Sequence, residues 1–218
     1  MSDHSTCDTG GAHTGRRRLL TRATSAAAVA ALGWPALLSA TQPARLPVIR
    51  PRRLRAGDTV ALINPSSAVY ERAPYEIAAE TLRALGFKVR EAPNLRARWG
   101  QFAGTDAQRA ADVNAMFADP GVHGILALTG GSGGNRMLPL VDYALIQRNP
   151  KVLGGFSDLT ALINSVHVKT GLVTFHSPVG ASEFNEFSVR HLRGSVMDAE
   201  AMLLANPTDR DDALVSKA

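Results

Sequence analysis

The feature that most constrains this fold is a regular alternation of short apolar runs with amphipathic segments. The apolar runs are typical of buried strands, and they are TVALINP, FKVREAP, VHGILALTG, KVLGGFS and LVTFHSP. Strands that alternate with helices over short loops favour a parallel sheet, because each return to the same end of the sheet needs a crossover element. The sequence therefore predicts an α/β fold, an open parallel sheet with helices on both faces, of the flavodoxin or Rossmann type.

The segments between these runs have helical periodicity and helix-end signals. The segment YEIAAETLRALG stops at Gly86, and its apolar stripe is formed by Ile77, Ala78, Leu82 and Leu85. Thr105 with Gln108 three residues later predicts a capping box that opens the helix DAQRAADVNAMFAD. NRMLPLVDYALIQ is predicted as one helix with Pro139 in its first turn, and DLTALINSVHVKTG as the next.

The positive charge of the chain is confined to its first quarter. The formal net charge is +5, but nine arginines and two aspartates place +7 in residues 1–55 and leave −2 for the rest. A slightly acidic folded part does not favour nucleic acid as a partner. The net positive charge is therefore no indication of a nucleic-acid partner, and we predict none.

The first 44 residues are typical of an export signal. Arg16-Arg17-Arg18-Leu19-Leu20 is followed by an alanine-rich apolar stretch from Ala26 to Leu38 and then by small residues. Paired arginines before Leu-Leu indicate the twin-arginine route to the periplasm, and the apolar stretch is too short for a membrane span. The alternative is a disordered basic tail on a cytoplasmic protein. Residues 45–56 are predicted to be a linker, 57–205 the α/β domain, and 206–218 a polar tail.

The sequence offers no pattern for a metal or a cofactor. Cys7 is the only cysteine and precedes the predicted signal, so a mature form would have no disulfide, thiolate nucleophile or cysteine zinc site. The histidines do not form a metal-binding spacing such as H-x-x-x-H. We predict that the protein uses neither a metal nor a cofactor.

Two serines compete as nucleophile, each directly after a predicted strand. Ser132 lies in Gly130-Gly131-Ser132-Gly133-Gly134, which fits the G-x-S-x-G pattern but also suits a loop whose backbone approaches a ligand. Ser157, in GGFSD, is either a helix N-cap or a nucleophile whose oxyanion the Asp158 N–H would help to hold. A nucleophilic serine also needs a base. Among downstream candidates His167, His176 and His191, none has a carboxylate at a telling spacing.

Longer segments of the chain resemble a known family. GDTVALINPSS, FAGTDAQRAADVNAMFADPGVHGILALTGGSGGNRMLPLVDYALIQRNPKVLGGFSDLTAL and TGLVTFHSP are similar to the N-terminal half of the LD-carboxypeptidases. This family of serine peptidases includes the muramoyltetrapeptide carboxypeptidases and the microcin C self-immunity proteins. The resemblance runs from about Leu54 to Gly180, and it implies metal-free removal of the terminal D-alanine at the L,D bond of murein tetrapeptides.

The resemblance also implies roles for individual residues. The nucleophile of the family stands in a G-[YFH]-S-D segment, which is matched here by Ser157. The N–H groups of Asp158 and Gly131 are then expected to line the oxyanion site. Contacts to a muropeptide or a related small peptide are expected from Gly130, Ser132, Ser66 and Ser67.

This chain also departs from the pattern of the family. Relatives commonly have RGGYG where Thr129–Gly133 stands, which removes an arginine and a tyrosine from the expected substrate contacts. The family's catalytic glutamate and histidine lie in a C-terminal domain, and nothing after Gly180 resembles either segment. We therefore expect that domain to be missing and the 218-residue chain to be close to inactive alone.

Other interpretations stay open at this stage. One alternative is a noncatalytic domain that binds muropeptides, and another is a nucleotide-binding domain that uses the TGGSGG loop. A peptide antibiotic is an alternative substrate to murein. The resemblance also implies a homodimer.

Overall fold

The computed structural model describes residues 46–203, which are centred on a five-stranded parallel sheet with the order β2-β1-β3-β4-β5. The strands are β1 Thr59–Ile63, β2 Lys88–Glu91, β3 Gly124–Ala127, β4 Val152–Gly155 and β5 Phe175–His176. This is the strand order of flavodoxin-like sheets, so the predicted fold class is confirmed. The predicted export signal and the polar tail lie outside the described residues.

Helices connect the strands and cover the sheet. They are α1 Ala73–Ala84, α2 Asp106–Ala118, α3 Gly134–Met137, α4 Tyr143–Arg148, α5 Thr160–Thr170 and α6 Glu186–Arg193. Short 3-10 turns span Leu138–Leu140 and Ser157–Leu159, and a π turn spans Gly194–Asp198. In the part of the chain that the structure describes, no helix is long and apolar enough to cross a membrane.

The alternating side chains of β1 separate two apolar cores. Ala61 and Ile63 pack on one face of the sheet with residues of α2 and α5, such as Phe117. Val60 and Leu62 face the opposite side, where residues of α1 and the π turn cover them. Successive side chains of a strand point to opposite faces, so both faces need a helical layer to exclude water. The predicted helices on both faces are confirmed.

The ends of α1 and α2 follow the sequence signals. The N–H of Gln108 donates to Oγ1 of Thr105 at 3.2 Å, and the Thr105 N–H donates to Oε1 of Gln108 at 2.9 Å, so the capping box is present. Gly86, just after α1, has φ +91°, a conformation that glycine adopts without a Cβ clash. These two local predictions are confirmed.

The predicted apolar stripe of α1 is wrong at Ile77. Ile77 is 47% exposed, whereas the buried side chains of the helix are Tyr75, Ala78, Ala79 and Leu82. Each helical residue turns about 100° from the one before it, so Ile77 lies beside this stripe and faces outwards. Tyr75 takes the place in the core that Ile77 was expected to fill.

The prediction of one helix over NRMLPLVDYALIQ is also wrong. The segment breaks into α3, the 3-10 turn at Leu138–Leu140 and α4. Proline has no N–H to continue a helical ladder, and Pro139 lies inside this 3-10 turn. Asp142 then starts a new helix, because its carboxylate accepts the Leu145 N–H at 2.9 Å.

Residues 46–56 belong to the fold and are not the predicted linker. The Ile49 N–H donates to Gly171 O and the Val173 N–H donates to Ile49 O, both at 2.8 Å. Leu54 is 4% exposed, and its N–H donates to Val196 O at 2.8 Å. Apolar side chains and backbone pairing hold the segment on the sheet, and the arginines between them face outwards.

Candidate active site

Three loops meet at the carboxyl ends of adjacent strands. The segment Asn64–Ser67 follows β1, residues 129–134 follow β3, and Phe156-Ser157 follows β4. Because β1, β3 and β4 are neighbours, these loops surround one crevice, where ligands bind in open parallel sheets. The crevice is a cavity of about 620 Å³, and its lining includes Ser67, Tyr70, Gly130, Gly131, Phe156 and Ser157.

Ser157 lies at a sharp turn between β4 and α5. Its φ is +62°, and it begins the 3-10 turn that leads into the helix, while Phe156 before it is extended. A left-handed conformation costs a non-glycine residue about 1 kcal/mol, and such strain is concentrated at functional sites. The side chain is exposed to the cavity. The turn therefore presents the hydroxyl at the N-terminal end of a helical segment, as a nucleophile elbow does.

The backbone of the glycine loop, defined as Gly130–Gly134, packs directly against the serines. A Cβ at Gly130 would lie 2.8 Å from the Ser157 Cβ and 3.0 Å from its Oγ. Gly131 has φ +125°, and a Cβ there would overlap the Ser67 side chain. Residues without a Cβ are required at these two positions for the loop to approach so closely.

Two side chains fix the glycine loop through its N–H groups. Oγ of Ser67 accepts the Ser132 N–H at 3.0 Å, and Oδ2 of Asp158 accepts the Gly134 N–H at 2.7 Å. The loop is therefore tied both to the segment after β1 and to the residue after Ser157. This arrangement holds a backbone surface next to the Ser157 hydroxyl.

The structure brings most of the predicted site residues together. Ser157, Gly130, Gly131 and Ser67 line the cavity. Asp158 follows Ser157 in the 3-10 turn, and its carboxylate accepts a hydrogen bond from the Gly134 N–H of the glycine loop. The oxyanion role of the Asp158 and Gly131 N–H groups stays a prediction.

Two predicted substrate contacts are not supported by the geometry. Ser66 has no exposed surface, so its hydroxyl cannot contact a ligand in the cavity, and that prediction is corrected. Ser132 is exposed but does not line the cavity, and its N–H is the group used, toward Ser67. Ser132 contributes to the site through its backbone.

Within residues 46–203 no imidazole is hydrogen-bonded to Ser157. Nδ1 of His167 contacts Leu172 O at 2.9 Å, and Nδ1 of His191 contacts Phe187 O at 2.8 Å. His176 at the end of β5 is nearer to the crevice, and its ring meets the edge of Phe156 at a centroid distance of 6.2 Å. The described residues thus supply the hydroxyl and its surroundings without placing a general base on it.

The charge at the cavity is small. Glu71 is the one charged side chain among the lining residues, all of which belong to the described part of the chain. Over residues 46–203, no group of three or more His, Cys, Asp or Glu side chains is placed to hold a metal ion. The site offers hydroxyls and backbone amides, which suit a neutral carbonyl that becomes an oxyanion.

Sequence reasoning missed Tyr70 and Arg109. Tyr70 is exposed at the cavity, and its hydroxyl donates to Gly100 O at 2.9 Å. Arg109 is 1% exposed and lies on the stripe of α2 that also carries Val113 and Met116. An arginine at a core position of an amphipathic helix is unusual, and that placement is the sequence signal that could have found it.

A family model provides the deciding observation for this site. The model described as the LD-carboxypeptidase N-terminal domain matches residues 60–177, more than half of the chain. The chain belongs to the LD-carboxypeptidase family. The matched residues include the strand ends, the glycine loop and Ser157, so the resemblance predicted from the sequence is confirmed.

Individual members of the LD-carboxypeptidase family are similar over the same region. The "Probable murein peptide carboxypeptidase" of Bacillus subtilis (strain 168) is 38% identical over 130 residues, which are 60% of this chain and 40% of that protein. The murein tetrapeptide carboxypeptidase of Pseudomonas aeruginosa is 35% identical, over 55% of this chain and 39% of that protein.

A solved structure shows the same fold. The MccF-like protein of Bacillus anthracis str. Ames superposes with a TM-score of 0.65 at 30% identity, over 69% of this chain and 47% of that one. The chain therefore spans about half the length of the LD-carboxypeptidases that it matches, or less.

Proposed function

We propose that this chain carries the nucleophile half of a serine carboxypeptidase site that cleaves the L,D-peptide bond of murein tetrapeptides and releases the terminal D-alanine. The observation that carries the proposal is the Ser157 turn. A non-glycine residue with φ +62° exposes its hydroxyl to a cavity, directly beside the Gly130 backbone. Relatives named for murein peptides and murein tetrapeptide support the substrate class.

In the proposed reaction Oγ of Ser157 attacks the carbonyl carbon of the L,D bond, and its proton passes to a base. The N–H groups of Asp158 and Gly131 are expected to donate hydrogen bonds to the oxyanion. The bond to nitrogen then breaks, the D-alanine amine leaves with a proton, and water hydrolyses the acyl-serine. These proposed steps use only protein groups, the substrate and water.

The base is the part that residues 46–203 do not place on Ser157. Loss of the catalytic histidine from a serine peptidase lowers kcat on the order of 10⁶-fold. The 218-residue chain is therefore expected to bind a murein tetrapeptide and to release D-alanine very slowly. D-alanine release at a rate equal to that of the Pseudomonas aeruginosa relative would contradict this part of the proposal.

A chimaera tests the nucleophile itself. Residues 46–203 of this chain, which include the π turn that covers Val60 and Leu62, are joined to the second half of the Bacillus subtilis relative, and D-alanine release from murein tetrapeptide is measured. Turnover is expected in the chimaera and is expected to vanish with Ser157→Ala. Ser132→Ala is the matched control and should leave turnover within about threefold, because only the Ser132 N–H is used. Turnover that survives Ser157→Ala would refute the proposal.

A second candidate function is a noncatalytic muropeptide-binding domain. It is favoured by the lack of an imidazole on Ser157 within the described residues. It predicts tetrapeptide binding to the 218-residue chain, equal binding to its Ser157→Ala variant, and no turnover in the chimaera. The chimaera therefore separates the two functions.

A further inference from the structure

We infer that Arg109 is a positioning residue for the candidate active site, which it serves by holding two of the loops around Ser157 together. Its side chain has no exposed surface, so it cannot contact a ligand. It reaches the site instead through backbone carbonyl groups of residues far away in the sequence.

The guanidinium of Arg109 joins the loop after β1 to the loop after β3. Its Nη1 donates to Pro65 O at 2.5 Å and to Gly133 O at 2.9 Å. Pro65 O is buried and would lose its donor without Arg109, whereas Gly133 O also accepts the Arg136 N–H at 3.1 Å. A buried carbonyl without a donor is destabilising, so the loop after β1 is stabilised where Nη1 can reach it and the loop after β3 at once. One nitrogen thereby fixes the spacing between Asn64–Ser67 and the glycine loop.

That spacing determines the contacts beside the proposed nucleophile. The Ser67 hydroxyl, two residues after Pro65, accepts the Ser132 N–H, and Gly131 packs against the same side chain. Gly130, the next residue back along the loop, packs against Ser157. A shift of either loop would therefore move the backbone that faces the Ser157 hydroxyl.

The charge of Arg109 is balanced locally. Nη2 of Arg109 is paired with the carboxylate of Asp106, which also accepts from Nε of Arg136 at 3.1 Å. The Phe102 ring has the guanidinium carbons of both arginines near its centroid, at 5.2 and 5.1 Å. The side chain of Arg136 shares the carboxylate and the ring but has no hydrogen bond to Pro65 O or Gly133 O. Only its backbone N–H donates to Gly133 O, at 3.1 Å, and Arg136→Met keeps that bond, so this variant is a matched control.

The test is amide hydrogen exchange of the full chain with Arg109→Met, Arg109→Lys and Arg136→Met. Arg109→Met removes every donor, and Arg109→Lys keeps the charge in case the first variant does not fold. The Ser132 and Gly134 amides, which bond to Ser67 and Asp158, are expected to exchange about tenfold faster in the Arg109 variants. Amides of β1 and β3 should be unchanged in Arg109→Lys, and Arg136→Met should leave the glycine loop protected.

The exchange result decides the inference independently of the proposed function. Unchanged protection of Ser132 and Gly134 in Arg109→Lys would overturn it, and so would an increase in exchange that is equal in the sheet and in the loop. A second measurement, tetrapeptide affinity, rests on the proposed function and should fall about tenfold in Arg109→Lys. If the unaltered chain does not bind the tetrapeptide, the proposed substrate is wrong while the exchange data still decide the role of Arg109.

Discussion

The carboxylate of Asp158 accepts the N–H of Gly134 at 2.7 Å, so the residue next to the proposed nucleophile holds the glycine loop through its side chain. The backbone of Asp158 lies in the 3-10 turn that begins at Ser157. One residue thus connects the elbow after β4 with the loop after β3.

Replacement of this carboxylate should separate the hydrogen bond from the charge. Asp158→Ala is expected to lower the free energy of unfolding by about 1–3 kcal/mol, because the Gly134 N–H is left without its acceptor. Asp158→Asn keeps an acceptor oxygen and should recover most of that loss. Urea denaturation of the three proteins measures the difference, and equal losses in both variants would show that the hydrogen bond does not matter.

The protein should be more stable with glycine than with serine at position 157. Ser157→Gly is expected to raise the free energy of unfolding by up to about 1 kcal/mol, because glycine adopts φ +62° without strain. Ser157→Val should lower it by a similar amount, since a β-branched residue is disfavoured there. Ala161→Gly, in the first turn of α5, is the control and should lower the free energy of unfolding by up to about 1 kcal/mol. Thermal denaturation that gives Ser157→Gly the same loss as Ala161→Gly would contradict the strained turn.

A methyl group at Gly130 should damage the site. It would lie 2.8 Å from the Ser157 Cβ, so the loop and the serine have to separate. Displacement of a reacting group by about 1 Å can cost on the order of 10²-fold in turnover, and that loss is expected for Gly130→Ala in the chimaera. Gly121→Ala, on an exposed turn away from the cavity, should leave turnover unchanged. Equal activity of both variants would place the glycine loop outside the reaction.

Asp58 should contribute to the acid sensitivity of the fold. Burial raises the pKa of Asp58, but hydrogen bonds from Arg52 at 2.9 Å and from the Arg55 N–H at 2.7 Å, with the charge of Arg52, outweigh burial, and the pKa lies below its usual 3.8. The stabilisation is present above the unfolded pKa near 4 and is lost as the pH falls through the lower folded pKa.

Urea denaturation of Asp58→Asn from pH 7 to pH 2 measures this contribution. The variant should be less stable than the unaltered chain at pH 7, and the difference should shrink below about pH 4. Glu71→Gln is the control, because Glu71 is exposed and has no ion pair within the described residues. A difference that is constant over this pH range would exclude the ionised carboxylate as its cause.

Local signals in the sequence were sufficient where one short segment satisfies its own hydrogen bonds. Thr105 and Gln108 close a capping box within one turn, and Gly86 ends α1 by its own conformational freedom. The same kind of reasoning failed at Pro139 and Ile77, where periodicity suggested a longer helix and a different stripe. At Ile77 the choice depended on which face of α1 meets the sheet.

The sequence by itself determined the α/β class and the alternation of elements, and its resemblance to the LD-carboxypeptidases made Ser157 the candidate nucleophile. The tertiary structure decided that Ser66 is buried, that Ser132 acts through its N–H, and that Arg109 joins the loops. The physical reason is the separation along the sequence of the residues that make each contact. Periodicity and caps involve residues three or four apart, whereas Arg109 meets carbonyl groups 44 and 24 residues away, and only folding brings them within a hydrogen bond.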